Sequence, residues 1–407
     1  MKVAIIAYYF KPDETIGAVR PENWAKWLSA RHDVVVVTPK KRGAVDNDVD
    51  FEVLRANSYA MRLLEFVNSF RKRIRNKFLA SSQADSDRSK TPSFAFSYRM
   101  PCLHDFWFFS CYYALCTIRP EVIIATHSPY INLVAAWVYK IFHPGVMLWA
   151  DYRDLWTGNH TSSGLPMIRN IERKVELSVL RAADIVTTVS DYLCSELQNL
   201  SGRAAYCVYN SVADYPPSGC HSKNDPKVLR ICYVGTIWAG WRDPSDLFSM
   251  LNVFIGSHLI EKKDISICLA SRNPGDFLML AEKYGLRDVV DFRGGVRRQE
   301  ALRIQQEADI LLLLESNAPE ARGVLTGKVF EYLMTDKPIL LIGPGPDSEL
   351  YQLLKKHDRL FTLEDFKQFI CGEVQSLPKC IPVDYSEMSR SQLLGIMNKL
   401  SAELGRS

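Results

Sequence analysis

Short apolar runs recur along this chain with loops and helix-length segments between them, and that rhythm limits the fold more than any other feature. Lys2 to Ala7 forms the first run. A loop holding Lys11-Pro-Asp-Glu-Thr-Ile-Gly17 and a helix from about Pro21 to Ala30 follow it, and Val34 to Thr38 returns as a second run. Strand, loop, helix, strand is the unit from which parallel doubly wound sheets are built. Further strands are expected at Val122 to Ala125, Val146 to Trp149, Ile185 to Val189 and Tyr206 to Tyr209, with helical segments such as Ile168 to Leu180 between them.

The rhythm stops and then resumes. Residues 214 to 228 are rich in Pro, Ser, Gly and charge, the composition of a hinge or linker. Beyond them, strands are expected at Leu229 to Val234, Ile265 to Leu269, Val289 to Phe292, Ile310 to Leu314 and Ile339 to Ile342. The reading is an α/β protein with two Rossmann-like domains facing each other across a cleft, over residues 1–213 and 229–385, joined by the linker 214–228. A C-terminal helical segment, 386–407, is expected to return to the first domain.

A length of 407 residues suits two or three domains of roughly 100–200 residues each. The ten cysteines include no Cys-x-x-Cys pair and read as buried thiols in a reducing compartment. A net charge of +4 is too small to imply nucleic acid, and no RNA- or DNA-binding motif is present. The apolar run at the N-terminus is short for a signal peptide, and no stretch approaches the roughly 20 apolar residues of a membrane span. The expected location is cytoplasmic, with peripheral attachment to the inner face of the cell membrane.

That attachment is read from an insertion near residues 55–100. Over 59 to 79, Met61, Leu64, Phe66, Val67, Phe70, Ile74 and Phe78 recur near helical spacing, and Arg62, Arg71, Lys72, Arg73, Arg75 and Lys77 face only Glu65 in opposite charge. A basic amphipathic helix of this kind suits an anionic lipid surface. Aromatic residues from Phe94 to Tyr113 follow it as a belt. The alternative is an insertion packed on the core with a solvated basic face.

Gly323-Val-Leu-Thr-Gly-Lys-Val-Phe-Glu-Tyr-Leu333 lies between two apolar runs and reads as a loop and a short helix capped at Thr326. A helix start carrying Lys328 offers free amides and positive charge to a phosphate. Glu331, one turn deeper, could accept hydrogen bonds from the paired hydroxyls of a ribose. Alone, a Lys-x-x-Glu spacing is more often a solvated surface pair.

Its surroundings make it more specific. Tyr233-Val-Gly-Thr-Ile, Ile267-Cys-Leu-Ala-Ser, Val290-Asp-Phe-Arg-Gly-Gly-Val, Ala308-Asp-Ile-Leu-Leu-Leu-Leu, Thr326-Gly-Lys-Val-Phe-Glu-Tyr-Leu and Lys337-Pro-Ile-Leu follow one another in the second half. In that order and spacing they resemble the nucleotide-binding domain of glycosyltransferase family 4, retaining enzymes of GT-B architecture. In the first half, Ala125-Thr-His-Ser-Pro129 and Trp149-Ala-Asp-Tyr-Arg-Asp-Leu-Trp156 look like the version found in enzymes that build bacterial surface polysaccharides such as lipopolysaccharide, O-antigen and capsule. The resemblance covers nearly the whole chain except residues 55 to 100.

The resemblance implies a donor that is a UDP- or GDP-linked sugar, a lipid-linked or saccharide acceptor, and transfer with retention of anomeric configuration. Glu331 matches the glutamate on the donor ribose, and Lys328 and Arg242 would face the diphosphate, where leaving-group charge must be stabilised. Gly235, Thr236, Gly17, Ser271, Arg272, Thr326 and Gly327 complete the expected donor contacts. His127 matches the histidine beside the donor sugar. Asp151 is assigned to catalysis, and Arg20, Arg153 and Asp154 to the acceptor. Asp151, Arg153 and Asp154 also suit an ion-pair network that holds their loop.

Two positions depart from the family pattern. The first of its two glutamates would fall at Gly323, leaving Glu315 or Glu320 to supply a carboxylate, and Thr236 stands where an arginine is usual. The reading calls for no cofactor and no metal, and no His/Cys cluster has zinc spacing. A nucleotide-sugar epimerase on the same fold is the rival enzyme, and a catalytically degenerate scaffold the nonenzymatic one. An NAD-dependent oxidoreductase is disfavoured because no Gly-x-Gly-x-x-Gly follows the first strand.

Overall fold

A computed structural model of the chain describes residues 1–13, 16–40, 49–57, 99–159, 165–212, 228–237, 240–403 and 405. The chain divides into two compact units, Met1–Tyr209 with Arg390–Ser407, and Asn210–Ser389. The basic segment expected over 59 to 79 and the linker residues 214–227 lie outside the described residues.

The first unit holds β1 (Lys2–Ile6), β2 (Asp33–Pro39), β3 (Glu52–Ala56), β4 (Val122–Thr126), β5 (Met147–Asp151), β6 (Ile185–Thr188) and β7 (Tyr206–Cys207), in spatial order β3-β2-β1-β4-β5-β6-β7. The second holds β8 (Leu229–Val234), β9 (Ile265–Ala270), β10 (Val290–Gly294), β11 (Ile310–Leu314), β12 (Ile339–Ile342) and β13 (Leu360–Phe361), in order β10-β9-β8-β11-β12-β13. Every neighbouring pair is parallel. Both sheets therefore start in the middle, build to one edge, cross back and build to the other. The direction reverses between β1 and β4 in one sheet and between β8 and β11 in the other. In such sheets the crevice for a ligand opens at the strand C-termini beside that reversal.

Burial explains why these runs are strands. Val34–Val37 and Ile310–Leu314 are covered on both faces, which a parallel sheet sandwiched between helices requires. One face of the first sheet packs Ile6, Ile123 and Leu148 with Trp107 and Leu133. The opposite face packs Ile5, Ile124, Trp24 and Trp149 with Leu393 and Met397 of the C-terminal helix Ser386–Glu403. The second unit closes around Ile231, Ile267, Leu312 and Phe248.

Two strands were not legible in the chain. β3 is a half-buried edge strand with a mixed sequence, and β13 spans two residues, so neither has the length or apolar density that marks a run. The first helix also begins earlier than expected, at Ile16, so that Pro21 lies inside it. Among the described residues, no helix is long and apolar enough to cross a membrane.

Candidate functional site

In the first unit a buried polar cluster spans β4, β5 and β6, next to the reversal between β1 and β4. Asp151, at the end of β5, accepts from Arg20 Nε and Nη2 at 3.0 and 2.7 Å, from Thr126 Oγ1 at 2.8 Å and from Thr187 Oγ1 at 2.9 Å. Arg20 Nη1 also donates to the carbonyls of Val208 and Tyr209, and the guanidinium lies 4.3 Å over the Trp24 ring. Asp151 is 0 % and Arg20 2 % exposed. Asp151 is expected in catalysis and Arg20 at the acceptor; in the structure both side chains join β4, β5, β6 and the chain after β7 to the first helix. A charge removed from water needs such partners, and these supply them.

Gly17 and Arg153 are brought together by the proline. Pro21 has no N–H, so the carbonyl four residues back, on Gly17, loses its helical donor. Arg153 Nη1 donates to that carbonyl at 2.8 Å. Burial and the neighbouring Arg20 lower the Arg153 pKa. Asp154, next in the chain, is half-buried and helps raise the pKa of the buried Tyr130 hydroxyl, for which burial is the larger cause.

His127 follows β4 and is 4 % exposed. Its ring stacks on Tyr130 at 4.0 Å, and Tyr130 stacks on Trp156 at 4.8 Å. Trp156 Nε1 donates to Glu172, which is ion-paired to Arg99 at 2.6 Å. Nδ1 of His127 is buried without a hydrogen-bond partner. Burial, and secondarily Arg153, holds the imidazole well below its ordinary range, so at neutral pH the ring is uncharged.

In the second unit, the reversal between β8 and β11 carries the cradle. Gly235 follows β8 with φ of +127°, and a Cβ built there would lie 2.3 Å from Lys328 Cε and 2.7 Å from Nζ. A glycine is required both by the backbone angle and by the lysine that fills the space beside it. Lys328 Nζ donates to the Tyr233 hydroxyl at 2.7 Å and sits 4.2 Å from the centre of that ring. Burial first, and Arg242 second, lowers its pKa to about 7, with Glu315 and Glu331 acting the other way.

Arg242 is held by Glu315, with Nη2 to Oε1 at 2.8 Å, and by the Thr236 carbonyl at 2.8 Å. Of the two carboxylates left open in place of Gly323, Glu315 is thus the one beside Lys328 and Arg242, while Glu320 is exposed. Glu331 is 7 % exposed and already held: Oε1 by Arg298 at 2.8 Å and Oε2 by Gln305 Nε2 at 3.1 Å. A carboxylate offers about four acceptor positions, so two remain for a ligand.

Thr326 precedes the helix Gly327–Leu333, but its side chain caps nothing. The amide that a threonine cap would take, on Val329, donates to the Thr326 carbonyl at 3.1 Å, and Thr326 Oγ1 is buried without a partner. Ser271 is also turned inward, donating to Asn273 O at 2.6 Å and accepting from Asn273 N. Arg272 is exposed, its stem lying so close to Gly295 that a Cβ there would meet it at 2.4 Å. Sequence reasoning missed Tyr233 beneath Lys328, and Arg298 and Gln305 against Glu331. No short-range pattern links these positions; only the fold does.

No protein-family model matches the chain, and no curated protein resembles it in sequence. Solved structures do resemble it in fold. Sucrose-phosphate synthase from Thermosynechococcus elongatus superposes with a TM-score of 0.61 at 12% identity, covering 99% of this chain and 98% of that one. WaaG, a glycosyltransferase involved in lipopolysaccharide biosynthesis, gives 0.51 at 12% identity with 97% and 95% covered. UDP-GlcNAc 2-epimerase from Methanocaldococcus jannaschii gives 0.52 at 10% identity with 98% and 100% covered. At such identities the likeness is one of fold: two Rossmann-like units with parallel sheets, the GT-B architecture.

Two expectations follow from the geometry. Asp151→Ala leaves Arg20 buried without its carboxylate and should cost about 3–5 kcal/mol in urea denaturation, whereas a role confined to an exposed ligand contact would leave stability within about 0.5 kcal/mol. Lys328 has a pKa of about 7 when free, and an anionic pyrophosphate would raise it. Affinity for such an anion should therefore be full below that value and fall by up to about tenfold per unit as pH rises above it. Calorimetric titration from about pH 6 to about pH 9 should show this slope in the native protein and lose it in Lys328→Met.

Proposed function

We propose that this chain is a retaining glycosyltransferase that moves a sugar from a nucleotide donor to a saccharide or lipid-linked acceptor in the assembly of a bacterial surface polysaccharide. The observation that carries the reading is the cradle at the β8/β11 reversal. There a half-buried lysine ammonium and a carboxylate with open acceptor positions stand within one turn of a helix start, with Arg242 and Glu315 paired beside the lysine. Cation beside anion-acceptor is the pairing that a nucleoside diphosphate asks for, with phosphates on Lys328 and Arg242 and ribose hydroxyls on Glu331.

In this reading Gly235, Thr236, Ser271, Arg272, Thr326 and Gly327 shape the donor pocket through backbone and stem. As the glycosidic bond breaks, its electron pair goes to the leaving diphosphate, whose charge Lys328 and Arg242 offset. The acceptor hydroxyl attacks from the same face and passes its proton to the departing phosphate oxygen, which gives retention. His127, uncharged, can lie beside the positive charge growing at the anomeric carbon without opposing it. Arg153 and Asp154 form the acceptor side of the first unit, Gly17 faces the donor, and Asp151 and Arg20 hold the loops in place. The lipopolysaccharide glycosyltransferase among the fold relatives supports the substrate class.

An epimerase is the second reading, favoured by the fold likeness to UDP-GlcNAc 2-epimerase. Incubating UDP- and GDP-sugars with and without saccharide acceptors, followed by proton NMR of the anomeric signals, separates the cases. The transferase reading expects product only when acceptor is present, with the donor's anomeric configuration kept. A changed sugar from donor alone would establish the epimerase instead, and a chain that binds no nucleotide sugar would be a scaffold.

Attachment to an anionic membrane is part of the proposal. It rests on the basic sequence over 59 to 79 and on Phe109 and Tyr113, one turn apart on the helix Trp107–Ile118 and 70 % and 77 % exposed. Flotation with anionic liposomes should recover the native chain, and the Phe109→Ser, Tyr113→Ser double variant should float several-fold less. Equal recovery of both would remove the aromatic face from the proposal.

A further inference from the structure

The second sheet has two unlike faces. Ile231, Tyr233, Ile267 and Leu269 point into the apolar core. Alternation along the strands sends their neighbours to the other face, where Arg230, Cys232, Ser266, Cys268, Asp291 and Arg293 line a cavity of about 210 Å³. The helix Arg298–Glu307 contributes Arg303, Ile304 and Glu307 to the same cavity.

Cys232 and Cys268 are direct partners in the parallel register of β8 and β9, and Cys268 is in turn opposite Asp291 of β10. Neighbouring strands lie about 4.8 Å apart, within the roughly 4.4–6.8 Å that disulfide-linked Cα atoms span, so the strand spacing admits a bridge. Their environments differ. Cys232 is buried, while Cys268 is partly open to the cavity. The adjacent Cys232 thiol, and secondarily Arg293, draws the Cys268 pKa below its ordinary value, against burial and Asp291; the Cys232 thiol is pushed up, first by Cys268 and then by burial. A more acidic, reachable thiol beside a resolving one is the arrangement that oxidants select.

We propose that Cys232 and Cys268 form a reactive dithiol, an oxidation site that closes to a disulfide on exposure to a hydroperoxide. The Cys268 thiolate attacks the peroxide O–O bond, taking one oxygen as a sulfenic acid and releasing hydroxide. The Cys232 sulfur then attacks the Cys268 sulfur, the S–O bond breaks and water leaves. Two thiols lose two electrons and two protons in total, and one hydrogen peroxide becomes two waters.

The helix Arg298–Glu307 lies between this cavity and the donor cradle. Its Arg303, Ile304 and Glu307 line the dithiol cavity, and its Arg298 and Gln305 hold Glu331. Closing the bridge should therefore be felt at Glu331 as weaker nucleotide binding. This consequence rests on the proposed function; the bridge itself does not.

Treating the native chain with limited hydrogen peroxide, then digesting without reductant, tests the site by mass spectrometry. The exposed Cys371 serves as an internal reference for an ordinary accessible thiol. The expected result is a Cys232–Cys268 linked peptide that forms before Cys371 is oxidised and disappears with dithiothreitol. Cys232→Ser should instead carry Cys268 on to sulfinic acid. Cys268 unmodified at a dose that oxidises Cys371, or oxidised without linkage to Cys232, would overturn the proposal. In parallel, the oxidised chain should bind a nucleotide sugar about tenfold more weakly than the reduced one, with Cys268→Ser unresponsive; equal affinities would reject the coupling through the helix. A chain that forms the bridge but binds no nucleotide sugar in either state would refute the transferase reading alone.

Discussion

Parallel pairing of every strand is the constraint from which the rest follows. A parallel strand can be reached only by a crossover, so all strand C-termini emerge at one edge of each sheet, and the loops they feed are free of the ladder. Because both sheets begin in the middle, the first strand of each ends beside the strand where the direction reverses. Arg242, after β8, meets Glu315, after β11, for that reason. The chemistry is placed by winding order before any side chain is chosen.

The side chains then deal with charge in two ways. Asp151, Arg20, Glu172 and Arg99 are buried and mutually satisfied, an arrangement that fixes loops in the first unit. Lys328 differs from them. Its ammonium rests on a tyrosine ring and hydroxyl, near an arginine that disfavours its charge, and its pKa falls to about 7. A half-buried cation so weakly compensated is a plain invitation to an anion, and Gly235 leaves the space in which it stands. Pro21 shows the same economy at smaller scale: one missing N–H frees the Gly17 carbonyl, and Arg153 occupies it.

Much of this was readable from the chain. Runs such as Ile310–Leu314 and Val34–Val37 are long and apolar enough to declare themselves strands, and their order gives the doubly wound sheet. Lys328, Glu331 and Gly235 could be singled out because helix-start and glycine chemistry is local. What could not be read depends on distance in sequence. The pairing of Asp151 with Arg20 depends on a partner 131 residues away, and the hold of Arg298 and Gln305 on Glu331 on the packing of one helix against another. The Thr326 cap failed for a subtler reason, since the backbone carbonyl of the same residue took the amide first. The strands β3 and β13 exist through the sheet edges they join rather than through their own composition.

What occupies the cradle of the second unit decides the function. A crystal structure of the chain grown with a nucleoside diphosphate tests it most directly. The account predicts phosphate oxygens within hydrogen-bond distance of Lys328 Nζ and the ribose hydroxyls on Glu331, with Arg298 and Gln305 still supporting that carboxylate. Nucleotide bound elsewhere, with Lys328 still resting on Tyr233 and Glu331 touching only Arg298 and Gln305, would contradict it.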